Sequence, residues 1–392
     1  MANDKRIESL TSRERVRRAV AHEPVDRTPI DLGVHYSTGI SGFAYQNLRK
    51  YLGFEQRPSE IIDTFQFLAR VEEDILERFH CDCMCFHPGF AAEKIWNPRS
   101  DFNFRISDAI EPNLKNDGSW ILTDKEGRGG TRMPNGGFFF DGGGFNTWVG
   151  SEDFMDAVAR KVERIYKDTD YYTLYIGGVS AYASQDINWL MDFTSEPEEV
   201  AAGFERTHNH NIAELTRMFD KLGDYIQGIC IGVDLGTQIA PMMNPKLFDD
   251  YVAEWLYKLC KFTHENSDYK IFLHSCGAIE PFMKTINDCG IDILNPVQIS
   301  CPNMNPPEIK KNHGDRTCFW GGGCDTQTVL GNTSPAEVAA NVRYLMSELA
   351  PNSGFVFNQV HNVMGNVPPE NIVAMLDTAY EESFKYGEDL TK

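Results

Sequence analysis

Two stretches of the chain, I-F-L-H-S-C-G at residues 271–277 and G-G-G-C-D-T-Q at residues 321–327, share one pattern. In each, a short apolar segment leads to side chains that can bind a metal. K-I-F-L precedes His274 and Cys276, and T-C-F-W lies shortly before Cys324. The two cysteines are 48 residues apart (276 to 324), which is room for a helix, a strand, a second helix and a return strand. This order would bring one imidazole and two thiols to the same end of a parallel sheet.

This set of side chains has two chemical interpretations. Nitrogen and sulfur are ligands that zinc prefers, and a site with three protein ligands leaves a fourth position open for chemistry. A lone H-x-C is also compatible with a small buried cysteine that only fills space in the core. Spacing alone therefore leaves a metal site and a packing role both open.

The order of elements along the chain indicates the fold class. Apolar, strand-like segments lie near residues 30, 83, 174, 230, 272, 292, 318 and 356, and each leads into a helical segment. Strands that alternate with helices predict an α/β fold with a parallel sheet, and eight of them predict a (β/α)8 TIM barrel. We predict a single barrel domain over residues 1–392, in which residues 59–79 form a helix. A dinucleotide-binding fold is the second choice, because G-G-G at residues 321–323 lacks the G-x-G-x-x-G spacing.

Residues 88–150 differ in character from the rest of the chain. Turn-forming runs such as N-P at residues 97–98 and N-D-G at residues 116–118 separate short segments, and Trp96, Trp120 and Trp148 lie among them. This turn chemistry predicts a β-hairpin insertion near the barrel mouth. Its aromatic content is equally compatible with a lid over the mouth and with a structural flap that has its own small core.

The residues just after each strand of a TIM barrel face the active site. In this chain those positions form a strongly polar set: His35, Tyr36, His87, Ser180, Tyr182, Asp234, Gln238, His274, Cys276, Asn295, Gln298, Cys324, Asp325, Gln327, His361 and Asn362. Each member also has a structural explanation; Asp234 can cap a loop, and Asn295 can form a turn with the proline that follows it. As a group they predict a functional site at the mouth.

The composition argues against several classes of function. The formal charge is −20 and no basic cluster extends beyond residues 13–18, so we do not expect a nucleic acid as a partner. Residues 1–7 are polar, and no run of about 18 apolar residues occurs, so we expect neither secretion nor a membrane span. Ten cysteines, mostly in apolar segments, suit a reducing compartment, which predicts a cytoplasmic enzyme.

Five motifs together carry a resemblance to a known family. They are G-V-D-L-G-T-Q at 232–238, H-S-C-G at 274–277, D-I-L-N-P-V-Q at 292–298, W-G-G-G-C-D-T-Q at 320–327 and V-P-P-E-N-I at 367–372. The chain resembles the uroporphyrinogen decarboxylase superfamily from about residue 13 to its carboxyl terminus, apart from the insertion. The resemblance implies a (β/α)8 barrel. It also implies one of two chemistries, metal-free decarboxylation of uroporphyrinogen or zinc-dependent methyl transfer to or from a corrinoid.

The segment after the first strand separates these two branches. True decarboxylases of the superfamily carry an arginine-rich segment there to hold a substrate with many carboxylates, whereas residues 30–39 contain no arginine. The chain is therefore more similar to the methylcobamide:coenzyme M methyltransferases and the methyltransferases of O-demethylation systems. A metal-free, uroporphyrinogen-decarboxylase-like decarboxylase is the alternative.

The methyltransferase branch implies roles for particular residues. Its H-x-C…C zinc motif falls on His274, Cys276 and Cys324, which are therefore the expected ligands of Zn2+, while the fourth ligand stays open. Catalytic roles are expected for Asp234 and His361. Substrate-binding roles are expected for a polar set at the mouth: His35, Tyr36, Gln238, Asn295, Gln327 and Asn362.

The resemblance also implies the reactants. The chain has no D-x-H-x-x-G motif of a corrinoid-binding domain, so the corrinoid (cobalamin) is expected to arrive on a separate carrier protein. The other reactant is a small molecule that donates or accepts the methyl group, such as a thiol or an aryl methyl ether. The aromatic residues of the insertion favour the ether slightly, and the direction of transfer is left open.

Overall fold

The computed structural model describes residues 8–87, 93–142, 153–184 and 186–390. The strands are β1 Ile40–Ser41, β2 Ser59–Asp63, β3 Leu68–Ala69, β4 Glu93–Trp96, β5 Phe104–Ser107, β6 Glu111–Leu114, β7 Trp120–Thr123, β8 Thr131–Met133, β9 Leu174–Ile176, β10 Gly228–Gly232, β11 Lys270–His274, β12 Ile293–Asn295, β13 Cys318–Trp320 and β14 Phe355–Val356. The helices are α1 Ser12–Val20, α2 Gly42–Tyr51, α3 Glu73–Arg78, α4 Phe154–Asp168, α5 Ile187–Ser195, α6 Pro197–Leu222, α7 Pro245–Leu247, α8 Ala253–Asn266, α9 Glu280–Cys289, α10 Pro306–His313, α11 Pro335–Leu349 and α12 Pro369–Ser383. A π-helical turn, Phe248–Val252, joins α7 to α8.

The largest sheet contains six parallel strands in the order β14-β13-β12-β11-β10-β9, so strands that are consecutive in the chain are neighbours in the sheet. At least one helix separates each strand from the next. The register places Gly232 opposite His274 and His274 opposite Asn295, which brings the carboxyl ends of three strands to one edge. The predicted α/β fold with a parallel sheet is confirmed.

The first two predicted strand positions join this sheet by single bridges. Ile30 forms a parallel bridge with Phe357 beyond β14, and Cys83 forms one with Tyr172 before β9. The Asp82 amide N–H donates to the Ile30 carbonyl oxygen at 2.7 Å, so the two segments also contact each other. Among the described residues these contacts do not extend into ladders, and the sheet is therefore not a continuous eight-stranded barrel.

Both faces of the parallel sheet are buried. One face forms a cluster with side chains from every strand of the sheet and from the Cys83 segment: Cys83, Leu174, Cys230, Phe272, Ile293, Cys318, Trp320 and Val356. The alternate residues, among them Ile271 and Leu273, pack on the other side in the larger core. Burial on both faces explains why these strands read as continuous apolar runs rather than as alternating ones.

Helix boundaries follow local capping chemistry. The side chain of Thr11 accepts a hydrogen bond from the Glu14 amide at the start of α1, and Ser334 forms a capping box with Glu337 at the start of α11. Proline occupies the first turn of α6, α7, α9, α10, α11 and α12, where its missing N–H has no cost. None of the described helices is both long enough and apolar enough to cross a membrane.

The predicted helix over residues 59–79 is wrong. This segment contains β2, β3 and the short helix α3, and β2 pairs with both β3 and β5. Ile61 and Phe67 contribute to a buried aromatic cluster with Phe43 and Phe104. The apolar spacing that suggested a helix is therefore set by tertiary packing against these rings, which overrides helix propensity.

The described part of the predicted insertion, residues 93–142, consists of short strands and turns. β4 pairs antiparallel with β5, and β6, β7 and β8 form a separate antiparallel sheet. Trp96, Leu122, Met133 and Phe140 pack in the cluster that contains Phe43. The strands predicted from the turn chemistry are present here, and they share a small core with α2 and β2. Residues 88–92 and 143–150, including Trp148, lie outside the described residues.

Candidate metal centre

The candidate site begins where β11 ends. His274 is the last residue of β11, and Cys276 follows it by two residues. The nearest ligand atoms of His274, Cys276 and His361 all lie within 4.8 Å of one another. Two imidazole nitrogens and one thiol sulfur in such a group form a donor set that suits zinc.

Hydrogen bonding fixes the orientation of the His274 ring. His274 Nδ1 lies 2.9 Å from Asn295 Oδ1, and the Asn295 side-chain amide donates to the Trp320 carbonyl oxygen at 2.9 Å. Asn295 Oδ1 can only accept, so His274 carries its proton on Nδ1. The lone pair of Nε2 then points towards Cys276 Sγ and Asp234 Oδ1, each at 3.6 Å. Burial lowers the pKa of His274, which keeps the ring neutral and able to bind a metal.

The loop that carries Cys276 is held by its backbone. The Cys276 amide donates to Asp234 Oδ1 at 2.9 Å, and the Gly277 amide donates to Gln298 Oε1 at 2.7 Å. Gly277 has φ +95°, and a Cβ atom there would lie 2.2 Å from the Gly236 carbonyl carbon. Glycine is therefore required at residue 277, because two loops touch backbone to backbone. Burial, together with the nearby Asp234 carboxylate, raises the pKa of the Cys276 thiol.

His361 reaches the cluster from the loop after β14. Its φ is +61°, an uncommon backbone conformation for a residue other than glycine. Its ring meets the His274 ring edge to face with centroids 5.6 Å apart. Burial and the neighbouring His274 lower the pKa of His361 to about 4, so this imidazole is neutral and its lone pair is available. Backbone strain that places a side chain at such a position is common at functional sites.

Cys324 is not a member of the group within 4.8 Å, although the sequence motif names it as a ligand. It is completely buried in the larger core, and its Sγ lies 4.0 Å from the Asp325 carbonyl oxygen. Burial raises the pKa of this thiol as well.

The predicted polar residues around the cluster fall into two groups. Gln238 and Gln327 are exposed, and they form a ring of hydrogen bonds with Ser300: Gln327 Nε2 donates to Gln238 Oε1 at 3.0 Å, Gln238 Nε2 to Ser300 Oγ at 3.1 Å, and Ser300 Oγ to Gln327 Oε1 at 3.1 Å. Gln298 links this ring to the Cys276 loop, because its Nε2 donates to Gln238 Oε1 at 2.8 Å.

The second group lies deeper. Asn295 is fully buried behind His274, and Asn362 is buried with its Oδ1 accepting from the Gly39 amide and its Nδ2 donating to the Tyr36 carbonyl oxygen. His35 and Tyr36 are half-buried, and the His35 ring centroid lies 5.7 Å from that of His274. Burial, with His274 and His361 nearby, lowers the pKa of His35 well below its ordinary value, and burial raises the pKa of Tyr36.

Ser37 is a residue of this edge that was not predicted from the sequence. Its Oγ lies 2.6 Å from both His35 Nδ1 and Asn295 Oδ1, so it connects the loop after residue 30 to the residue that orients His274. Its place two residues after His35, in H-Y-S-T at residues 35–38, is the only signal that the sequence offers, and serine is too common in turns for that signal to decide.

Comparison with known proteins identifies the family. The sequence model described as uroporphyrinogen decarboxylase (URO-D) matches residues 173–382, which is more than half of the chain. The chain belongs to the uroporphyrinogen decarboxylase family. The family match begins at β9 and contains the whole parallel sheet, with Asp234, His274, Cys276 and His361.

Solved structures extend the fold comparison beyond the family match. A methyltransferase from Methanosarcina mazei superposes with a TM-score of 0.56 at 15% identity, and covers 95% of this chain and 99% of its own. This likeness shows a shared fold that also includes the region before residue 173. Dispersin B (TM-score 0.32, 11% identity, 72% of this chain and 87% of its own) and a xylose isomerase-like TIM barrel protein from Mycobacterium smegmatis (TM-score 0.30, 14% identity, 59% and 90%) are much less similar. No curated protein matches the chain.

Proposed function

We propose that this member of the uroporphyrinogen decarboxylase family is a zinc-dependent methyltransferase. It would move a methyl group between a small molecule and the corrinoid of a separate carrier protein. The observation that carries the proposal is the convergence of His274, Cys276 and His361 within 4.8 Å at the edge of the sheet. The fold shared with a solved methyltransferase and the absence of arginine from residues 30–39 support the same branch.

The residues present fit a zinc ion. Zinc accepts imidazole nitrogen and thiolate sulfur in tetrahedral sites, and His274 already has the outer hydrogen bond that metal-binding histidines usually make. When bound, zinc would lower the pKa of a coordinated thiol or polarise an oxygen of the substrate. With His361 as the third ligand, one thiolate and two neutral imidazoles would leave the site with a net positive charge that favours an anionic ligand, whereas with Cys324 two thiolates would bring the net charge near zero.

The third ligand has two candidates. We propose Cys324 from the H-x-C…C motif, whose thiol must then turn from its core position towards His274. His361 is the candidate that the geometry offers, since it already lies in the group. Measurement of the zinc content distinguishes the two candidates. Cys324→Ala should lose zinc if Cys324 is the third ligand, and His361→Ala should lose zinc if His361 is.

The remaining residues would position the reactants. Asp234 holds the Cys276 loop by accepting from the Cys276 amide. The exposed Gln238 and Gln327 lie where a ligand entering from solvent would first meet side-chain amides. The half-buried His35 ring lies beside His274, with centroids 5.7 Å apart, and Tyr36 lies next to His35. Asn295 and Asn362 would hold these elements in place.

We also infer that the parallel sheet closes into a (β/α)8 barrel and that residues 88–150 lie over its mouth. The bridges at Ile30 and Cys83, and the interior cluster shared by the six parallel strands and the Cys83 segment, support closure. Phe138, within the insertion, packs against Gly365 in the loop after β14, which supports a place for the insertion near the mouth. An experimental structure with this segment turned away from residue 365 would overturn the placement.

Metal analysis combined with a methyl-transfer assay tests the proposal. The purified protein should contain one zinc ion, and it should methylate cob(I)alamin, followed by its visible absorption, from at least one compound in a panel of aryl methyl ethers, methyl thioethers and methylamines. Cys276→Ala should lose most of the zinc and at least about 99% of the activity while the fold is retained. A protein that contains no zinc, transfers no methyl group and decarboxylates uroporphyrinogen in the presence of a chelator would instead support the metal-free decarboxylase.

A further inference from the structure

A second group of charged side chains lies outside the candidate metal centre. Glu60 in β2 is 7% exposed, and its Oε2 lies 3.5 Å from Arg70 Nη1 and 3.4 Å from Arg105 Nη2. Its Oε1 lies 3.0 Å from His87 Nδ1. One buried carboxylate is therefore shared by two guanidinium groups and an imidazole.

The shared carboxylate leaves both arginines incompletely neutralised. Hydrogen bonds between a guanidinium and a carboxylate are usually about 2.7–2.9 Å long, so the contacts at 3.4 and 3.5 Å are loose. Arg105 has one further contact, to the 46% exposed Glu93 at 3.6 Å. The Nε atoms of Arg70 and Arg105 are buried and have no acceptor in the described part of the chain. Because buried donors are normally paired, this cluster lacks acceptors.

A third cation, Lys161 of α4, belongs to the same cluster. Burial lowers the pKa of Lys161, Arg70 lowers it further and Glu60 opposes them, so both groups lie close to its ammonium. The half-buried ammonium forms neither an ion pair nor a hydrogen bond with any residue that the structure describes. A charge that is partly removed from water without a counter-charge is unfavourable. An anion bound beside Lys161 would remove this cost.

The cluster is open to solvent and has an excess of positive charge. Arg70 is 27% exposed and Arg105 is 35% exposed, so a ligand can reach both side chains. Three permanent cations face two carboxylates here, although the whole chain carries a formal charge of −20. Guanidinium groups bind carboxylates and phosphates through paired N–H donors, and an ammonium adds a point charge. The missing partner of this cluster is therefore an anion with several oxygen atoms.

We propose that Arg70, Arg105 and Lys161 form a binding site for a small oxyanion, either a phosphate or the carboxylate of a small molecule. The anion accepts hydrogen bonds from the guanidinium groups and from the Lys161 ammonium. Glu60 keeps its contacts with both arginines and holds them side by side. The site does not depend on the proposed methyl transfer, since none of these residues belongs to the metal centre.

Titration calorimetry with inorganic phosphate and with benzoate, at an ionic strength held constant with sodium chloride, tests the site. Lys161→Gln is the sharpest variant, because its ammonium has no partner in the described protein and its loss should leave the free energy of unfolding unchanged. It should weaken binding of the anion about tenfold. Lys167→Gln is the matched control. It removes the same charge from the same helix, where Lys167 pairs with Glu163 at 2.6 Å, and should leave the affinity unchanged.

Arg105→Gln gives a second measurement and should also weaken binding about tenfold. The anion that binds more tightly to wild type identifies the group that the site accepts, phosphate or carboxylate. Binding of neither anion by wild type would overturn the proposal. Equal losses of affinity in Lys161→Gln and Lys167→Gln would overturn it as well, because the effect would then come from the overall charge of the protein rather than from a site.

Discussion

Glycines with positive φ occur both in the parallel half of the molecule, from β9 onwards, and in the antiparallel region at residues 93–142. The space around them differs between the two. Gly277 beside Cys276 and Gly127 in the turn after β7 both have positive φ, +95° and +77°. A Cβ at residue 277 would lie 2.2 Å from the Gly236 backbone, whereas one at residue 127 would meet nothing within 4 Å. The turn at residue 277 is therefore fixed by packing of backbone on backbone, while the turn at residue 127 needs only its local dihedral angles.

The largest effect is expected where the backbones touch. Gly277→Ala should destabilise the protein by about 4 kcal/mol or more, because it adds both a clash and an unfavourable φ, and it should abolish zinc binding. Gly127→Ala is the matched control, since it shares the positive φ but has open space, and should cost about 1 kcal/mol. Urea unfolding and zinc content measure both effects. Equal losses in the two variants would show that the close contact between residues 236 and 277 does not matter.

The sheet in which β2 pairs with β5 of the antiparallel region should be destabilised most by removal of a buried charge. Glu60 in β2 accepts from His87 at 3.0 Å and lies near Arg70 and Arg105. Burial acts to raise the pKa of Glu60, but the His87 hydrogen bond and the two arginines outweigh it and hold the pKa at about 2. Glu60→Gln should cost about 3 kcal/mol at pH 7, because it removes the buried carboxylate with which the half-buried Arg70 and Arg105 are paired.

The pH dependence of this effect has a definite sign. The pKa of Glu60 is depressed on folding, so its stabilisation is fully present above the ordinary value of about 4.5 and is lost as the pH falls towards 2. The difference in unfolding free energy between wild type and Glu60→Gln should therefore shrink over that range. Arg128→Ala, in an exposed pair with Asp124, is the control and should change stability at no pH. Loss of zinc in Glu60→Gln would contradict the separation of the two regions.

The parts of the fold that could be predicted from the sequence are those whose local pattern and tertiary role agree. Strands such as K-I-F-L-H are buried on both faces, and their continuous apolar runs therefore predicted the parallel sheet. The candidate site residues were then predicted from their positions at the ends of these strands. Residues 59–79 could not be predicted, because Ile61 and Phe67 are spaced to reach Phe43 and Phe104 rather than to form a helix face. Contacts made across the fold are invisible in local periodicity.

The candidate site shows the same limit. His274 and Cys276 are two residues apart in the sequence, and one motif contains both. His361 joins them only because its backbone takes φ +61°, and Asn295 orients His274 only because the register of β11 and β12 sets them side by side. Neither a strained dihedral angle nor a strand register can be read from residue order. Cys324 shows the reverse case, since its motif is clear while its thiol lies in the core.

A smaller effect is expected from the residue that orients the metal ligand. Asn295→Leu removes the acceptor for His274 Nδ1 and should weaken zinc binding about 10- to 100-fold, since outer hydrogen bonds of metal-binding histidines typically contribute that much. Asn295→Asp keeps an acceptor and should lose less. Asn362→Leu is the matched control, because it is a buried asparagine of the same edge whose bonds go to Gly39 and Tyr36, and it should lower stability without changing zinc affinity. Equal zinc affinity in Asn295→Leu and wild type would contradict the role given to Asn295.

The smallest effect is expected at a cysteine inside the sheet. Cys318 in β13 is fully buried in the interior cluster, and burial raises the pKa of its thiol to about 12, with a smaller increase from Asp292 and a small opposing effect from Lys310. Its thiol therefore stays protonated and acts as a small apolar group. Cys318→Ala should cost about 1 kcal/mol in urea unfolding, the price of a small cavity, and should leave the zinc content at the wild-type level. Because Cys276→Ala loses zinc at little cost in stability, the two substitutions should give opposite results, and zinc loss in Cys318→Ala would mean that a sulfur atom inside the sheet, rather than at its edge, binds the metal.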